Sequence, residues 1–170
     1  PRVTDGELWK SKWHNKAKGK PYYEVEVDAS IDDVAFSGDS CRFAVAHSKR
    51  VDVHDAAKGS FLFMVETDRQ IYRIECSRDG RQLAIGTRWD RRALQIWDMH
   101  SGKHKLFEHQ MRKGCRHLAF SPCGTFIAVA NKSQVERVCP RTGSVKLQKT
   151  VQEQEGVSSV AASPCGNVRY

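Results

Sequence analysis

Seven histidines and six cysteines carry the most reactive side chains of this 170-residue chain, and their spacing decides what they can do. The histidines stand at 14, 47, 54, 100, 104, 109 and 117, the cysteines at 41, 76, 115, 123, 139 and 165. Structural zinc needs four ligands at short, regular intervals, typically two cysteines with two to four residues between them. No C-x-x-C pair occurs, and His100 and His104 flank the turn residue Gly102 instead of sharing a helix face. Cys115 and His117 alternate near Cys123 in a spacing unlike structural zinc patterns, so no metal site is expected. Motifs for covalent or phosphate chemistry are missing too: no G-x-S-x-G elbow, no H-E-x-x-H, no G-x-x-x-x-G-K-[ST]. The residues therefore point away from an enzyme and from any cofactor. What the chain does hold is recognition chemistry. Arg88, Trp89, Arg91 and Arg92 crowd into five residues. Arginine pairs with carboxylates or phosphates through two parallel hydrogen bonds, and tryptophan buries a large area, which is the composition of an interface hot spot.

The elements that position those residues come from an internal repeat. Short apolar runs end on a serine at Ser37, Ser77, Ser121 and Ser163, with intervals of 40, 44 and 42 residues. A glycine stands three residues on in Ser77-Arg78-Asp79-Gly80, Ser121-Pro122-Cys123-Gly124 and Ser163-Pro164-Cys165-Gly166; the first copy scrambles this as Ser37-Gly38-Asp39. Six residues after the serine begins an apolar stretch: Phe43-Ala44-Val45-Ala46, Leu83-Ala84-Ile85-Gly86, Ile127-Ala128-Val129-Ala130. A second turn signal follows at Asp55 and Gly59, Asp98 and Gly102, Cys139 and Gly143. Each copy holds four short β-prone runs parted by turn residues, which predicts a four-stranded antiparallel meander. In the second copy the runs are Ile71–Cys76, Gln82–Gly86, Ala93–Trp97 and Lys103–His109. One such sheet cannot bury both faces alone, so copies must stack.

A period of 40 to 44 residues with four strands, and a third strand ending Ile96-Trp97-Asp98, resembles the WD-repeat β-propeller family. Ser-Pro-Cys-Gly stands where that family usually has Ser-Pro-Asp-Gly. The first copy departs with His54-Asp55 and the third with Val138-Cys139 in place of Trp-Asp, and the family's Gly-His dipeptide is absent. The hydrogen-bonded His, Ser, Asp and Trp set that stiffens a typical blade is thus expected to be incomplete. The fold class implied is all-β, a partial β-propeller of four-stranded antiparallel blades. Residues 31–70, 71–114 and 115–156 would each form one blade. Residues 1–30 would supply the last two strands of a preceding blade, and 157–170 the first strand of a following one. A chain that starts at Pro1 with no initiator Met, and that holds so few blades, is expected to be cut from a longer protein that supplies the remaining blades.

Composition bounds the partners. The net charge is +8, and half of that excess falls in residues 1–20, where Arg2, Lys10, Lys12, Lys16, Lys18 and Lys20 face only Asp5 and Glu7. A basic balance favours nucleic acid, phosphoinositide or acidic protein partners. Apolar runs such as Phe61-Leu62-Phe63-Met64-Val65 fall far short of the ~20 residues that cross a bilayer. Scattered cysteines without a framework suit a reducing compartment, cytoplasmic or nuclear.

Two strings look like known propeller motifs and fail on position. Trp89-Asp90-Arg91-Arg92 matches the Trp-Asp-x-Arg of propellers that feed cullin ubiquitin ligases, yet that string belongs at the end of the third strand, where this chain has Trp97-Asp98-Met99-His100. Met111-Arg112-Lys113-Gly114 resembles the Phe-Arg-Arg-Gly of phosphoinositide-binding propellers but stands too close to Phe120. The loop between second and third strands is three residues longer in the middle copy, and the extra length falls in Thr87-Arg88-Trp89-Asp90-Arg91-Arg92. In propellers of this kind that loop shares a face with the connections between blades, which here hold Arg69, Arg112 and Lys113. The candidate partner-binding set is therefore Arg69, Arg88, Trp89, Arg91, Arg92, Arg112 and Lys113. The alternative is a solvated loop whose Trp89 folds back on its own blade. The expected function is a protein–protein interaction scaffold with acidic-surfaced partners; the alternatives are a basic propeller contacting RNA or a ribonucleoprotein, and the non-catalytic propeller of a larger enzyme.

Overall fold

In a computed structural model the described residues are 11–15, 20–27, 29–88, 93–111, 113–150, 156–163 and 168–169. A hairpin comes first, β1 (Ser11–Asn15) with β2 (Lys20–Val25). Three four-stranded antiparallel meanders follow. The first sheet is β3 (Asp33–Phe36), β4 (Arg42–His47), β5 (Arg50–Asp55) and β6 (Phe61–Glu66). The second is β7 (Ile71–Cys76), β8 (Gln82–Thr87), β9 (Leu94–Asp98) and β10 (Lys105–His109). The third is β11 (His117–Phe120), β12 (Ile127–Ala130), β13 (Gln134–Val138) and β14 (Val145–Thr150). A short pair, β15 (Ala161–Ala162) and β16 (Val168–Arg169), closes the series. The described residues contain no helix, so no helix is long and apolar enough to cross a membrane.

The turn chemistry sets these strands. In the second copy the Ser77 hydroxyl donates to Asp79 at 2.6 Å and accepts the Gln82 N–H at 2.9 Å. Asp79 in turn accepts the Arg81 N–H, while Gly80 takes the left-handed φ of 67° that the turn needs. The fourth strand of that copy starts at Lys105, two residues later than the apolar pattern suggests. Asp98 captures the backbone N–H groups of His100 and Ser101 and the Ser101 hydroxyl, which holds 99–104 in the turn.

The middle strands explain the stacking. Phe43 to Ala46, Leu83 to Ile85 and Ile127 to Ala130 are buried on both faces, so they read as continuous apolar runs and not as alternations. Ala46, Val51 and Val53 of the first sheet pack on Ile74, Leu83 and Ile85 of the second. Leu94 and Ile96 pack on Phe120, Ile127 and Val129 of the third, and Ala128 and Val135 on Val157 and Val160 beyond it. Val25 and Val27, from β2 and just after it, cover Phe43 and Val45. Strands β3, β7, β11 and β15 touch in succession at the centre, whereas β6, β10 and β14 form an outer rim with Phe61, Leu62, Met64, Leu106 and Val145 exposed. Sheets radiating from a common axis are an arc of an all-β propeller.

Three kinds of contact recur at the junctions. Backbone bonds run from Ile71 N to Ser48 O at 2.7 Å, Cys115 N to Thr87 O at 3.0 Å and Val157 N to Lys132 O at 3.2 Å. Carboxylates on innermost strands accept N–H groups of the next innermost strand, Asp33 from Ile74 at 2.9 Å and Glu75 from Phe120 at 3.0 Å. Finally, Phe63 of β6 lies over Gly102 and Phe107 of β10 over Gly143, where a Cβ would come within 2.0 and 2.1 Å of the ring.

Candidate interaction surface

First strands begin, and second strands end, on the same side of the arc, here called the upper face. Loop 67–70 is pinned there by the Thr67 N–H, which donates to Lys49 O at 2.8 Å, and by its hydroxyl, which donates to Arg69 O at 2.7 Å. The Arg88 N–H donates to Gln70 O at 2.8 Å, tying the end of β8 to that loop, and the Arg116 N–H donates to Ala130 O at 2.8 Å.

These anchors gather cations around one ring. The Arg88 guanidinium carbon lies 4.4 Å from the Tyr72 ring centroid and that of Arg116 lies 5.2 Å from it. Arg116 also donates to the Tyr72 hydroxyl at 3.4 Å. Tyr72, Lys113, Arg116 and Lys132 line a small cavity of about 110 Å³. Cation–π contact holds each guanidinium in place but leaves its charge unneutralised. None of the ion pairs among the described residues includes Arg88, Arg116 or Lys132, and the Arg88 Nε is buried without a hydrogen-bond partner. The neighbouring His117 registers the same field: burial, then Arg73 and Arg116, hold its pKa below the usual histidine value.

The arrangement concentrates positive charge around Tyr72, Lys113 and Lys132. Of the residues singled out in the sequence, Arg88 and Lys113 belong to it, Lys113 with a left-handed φ of 70°, and Arg69 is exposed on the adjoining loop. Trp89, Arg91, Arg92 and Arg112 lie outside the described residues. Tyr72, Arg116 and Lys132 were not legible as site residues. Lys132 sits in the third copy's shorter equivalent of the long loop, and that equivalence was the signal available for it.

Nearer the axis, Asp33, Arg73, Glu75 and His117 line a cavity of about 210 Å³. Its acids serve the frame: Asp33 binds Ile74 N and Arg73 Nη1, and burial pushes the Glu75 carboxyl up while its bond from Phe120 N pulls it down. Polar side chains also fill the equivalent third-strand position. Asp52 accepts from Arg50 at 2.6 Å and pairs with His47 at 3.0 Å, Gln95 accepts from the Trp97 indole at 3.0 Å, and Glu136 pairs with His109 at 2.5 Å. Among the described residues no group of three or more His, Cys, Asp or Glu could hold a metal ion. The described cysteines are free thiols, and burial pushes Cys76 and Cys115 up to about 12.

No known sequence family and no curated protein matches this sequence. Solved structures do. A structure of U3-55K superposes with a TM-score of 0.71 at 18% identity, over 80% of this chain and 43% of the other. A crystal structure of RRP9 WD40 repeats gives 0.70 at 18% identity over 80% and 43%. Hydrazine synthase of Kuenenia stuttgartiensis gives 0.77 at 18% identity over 92% and 47%. The chain spans less than half the length of each. Four-stranded sheets around an axis, a turn serine kept in register at Ser37, Ser77 and Ser121, and these likenesses agree: the chain has the fold of WD-repeat β-propeller blades, strongly diverged in sequence.

Proposed function

We propose that this chain is an interaction scaffold whose upper face holds an acidic segment of a protein partner. The observation that carries the reading is the pair of guanidinium groups, Arg88 and Arg116, held against Tyr72 and, among the described residues, in no ion pair with a carboxylate. Two like charges kept close repel, and a carboxylate placed between them removes that repulsion while making charge-assisted hydrogen bonds. The frame is already ordered by the junction bonds, so docking costs little side-chain entropy. Arg69, exposed on the adjoining loop, extends the proposed surface, and Trp89, Arg91, Arg92 and Arg112 are assigned to it from the sequence alone. Residues 31–70, 71–114 and 115–156 are its blades, and the hairpin β1–β2 and the pair β15–β16 belong to the blades on either side.

RNA is the second reading, since aromatic and basic residues also suit bases and phosphates. The π surface of Tyr72 is already engaged by two guanidinium groups, which disfavours base stacking there. Fold likeness does not separate a scaffold from a non-catalytic part of an enzyme. The cation cluster is what favours the scaffold. The test is a titration with fluorescein-labelled hexaglutamate and, separately, labelled oligouridylate. Arg116→Glu should weaken hexaglutamate binding at least tenfold at low salt and less at high salt. Tighter binding of oligouridylate, with a salt slope near 0.7 per phosphate, would replace the protein reading by the RNA one.

A further inference from the structure

The opposite, lower face carries a feature that the upper-face reading does not use. There the turns after β3, β7 and β11 come together in sequence. At the first junction they close: Gly38 N donates to Ser77 O at 3.2 Å, and a Cβ on Gly38 would meet the Arg78 backbone at 2.4 Å. Asp39 lies directly over Gly80, again too close for a Cβ at 2.2 Å. At the second junction the corresponding glycine, Gly124, has nothing within 4 Å of its would-be Cβ. Arg78 stands there in place of Gly38 and Pro122 faces it, so the turns stay apart. The gap is a groove of about 440 Å³, within the ~300–1,000 Å³ typical of ligand clefts.

Arg78, Arg81 and Arg141 reach this groove from three different positions on two sheets, and His100 joins them. The two acids that line it are turned to the frame. Asp79 accepts from Ser77 and Arg81 N, and Asp98 from His100 N, Ser101 N and the Ser101 hydroxyl. Arg42 Nη1 contacts His100 Nδ1 at 3.2 Å. A guanidinium can only donate, so Nδ1 accepts and a neutral His100 keeps its proton on Nε2 as a further donor. The apolar part of the lining is Leu106, 50% exposed, with Pro122. Among the described residues no Phe, Tyr or Trp lines the groove.

We infer that this groove is a second docking site, for a protein segment in which acidic residues flank an aliphatic one, so that one arc holds two acidic partners on opposite faces. Cations without an aromatic platform, set around an exposed leucine, match carboxylates and an aliphatic side chain better than bases. Tyr72 lies near the start of β7 and Arg78 in the turn after its end, six residues on and up to roughly 20 Å away at ~3.3 Å per residue, so the two sites sit at opposite ends of the strand.

The exposed Cys123 on the groove lining supplies a local reporter. In a Cys41→Ser background, the peptide Asp-Leu-Asp-Asp-Leu-Asp should slow modification of Cys123 by a thiol reagent at least fivefold, read by peptide mapping. Arg78→Glu with Arg141→Glu should abolish that protection while leaving the melting temperature and hexaglutamate binding at Tyr72 unchanged. Arg116→Glu should do the reverse, so the two sites fail separately. Undiminished Cys123 reactivity at saturating peptide, or equal protection in the doubly reversed variant, overturns the inference. So does equal protection by Asp-Gly-Asp-Asp-Gly-Asp, which would leave charge alone, or stronger protection by oligouridylate.

Discussion

The first and second junctions share their backbone bond, their carboxylate reaching to the next innermost strand and their phenylalanine over glycine, yet one is shut at its lower edge and the other is open. The difference comes down to which residue follows the turn serine. Gly38 lets two backbones meet, whereas Arg78 at the same place holds them apart. A stiff frame therefore tolerates variation at the turns because the load is carried elsewhere. Binding chemistry accumulates where the frame does not need closure.

The largest effect should come from the contacts that both junctions share. Gly102→Val and Gly143→Val each force a Cβ into a phenylalanine ring and a branched residue into a left-handed φ of 63° and 71°. Overpacking and backbone strain together should cost about 3 kcal/mol in denaturant melts for either variant. A much smaller loss for Gly143→Val would show that the second junction is loose throughout and not only at its turns. Next comes Gly38→Ala, which must push the Arg78 backbone away and should cost about 2 kcal/mol by the same measurement. Arg78→Gly should cost less than this and narrow the groove, seen as slower Cys123 labelling.

A smaller effect separates the two carboxylates. Asp33→Ala leaves the Ile74 N–H without its acceptor and should cost about 1–2 kcal/mol. Glu75→Gln keeps an acceptor for Phe120 and removes a charge that burial disfavours, so stability should hold or rise slightly at neutral pH. The sign follows from its raised pKa: the group's contribution is fully present below the unfolded value and declines as pH rises through the folded one. Stability of the wild type should therefore fall relative to Glu75→Gln over that range, and identical profiles would contradict a buried carboxylate. Smallest of all are the turn caps, which respond to pH in opposite ranges. Hydrogen bonds from Ser37, Ser77 and Ser101 lower the pKa of Asp39, Asp79 and Asp98, so those turns lose stability as pH falls through their depressed values. In the third sheet Cys123 replaces the aspartate, and bonds to Thr125 and Ser121 bring it down to about 7. Its contribution is complete above the ordinary thiol range and lost as pH falls through 7. Amide exchange at 122–126 should slow between pH 7 and 9, after correction for intrinsic rates, while exchange at 78–82 stays constant.

The repeat was legible because serine, glycine and apolar stretches keep step over three copies, and each has a direct structural task in a turn or buried strand. The site was legible only where it lies on the unusual loop, as with Arg88, or in a connection between sheets, as with Lys113. Tyr72, Arg116 and Lys132 are 16 or more residues apart in sequence, and the stacking of sheets brings them together. Nothing in a linear pattern marks that convergence. The groove was hidden for another reason. Ser37-Gly38-Asp39 reads as a damaged version of the turn, although its glycine is what allows the first junction to close.

The reach of Asp33 and Glu75 toward the following strand also gives the molecule a direction in time. Each acid is synthesised before the N–H it will bind: Ile74 follows Asp33 by 41 residues and Phe120 follows Glu75 by 45. At ~5–20 residues per second the wait on a ribosome is roughly 2–9 s. During that interval the carboxylate is hydrated and the forward face of its sheet is bare. Each newly finished sheet then covers its predecessor and presents the next uncovered face, so assembly advances as a travelling front and the growing arc is most vulnerable at its latest sheet.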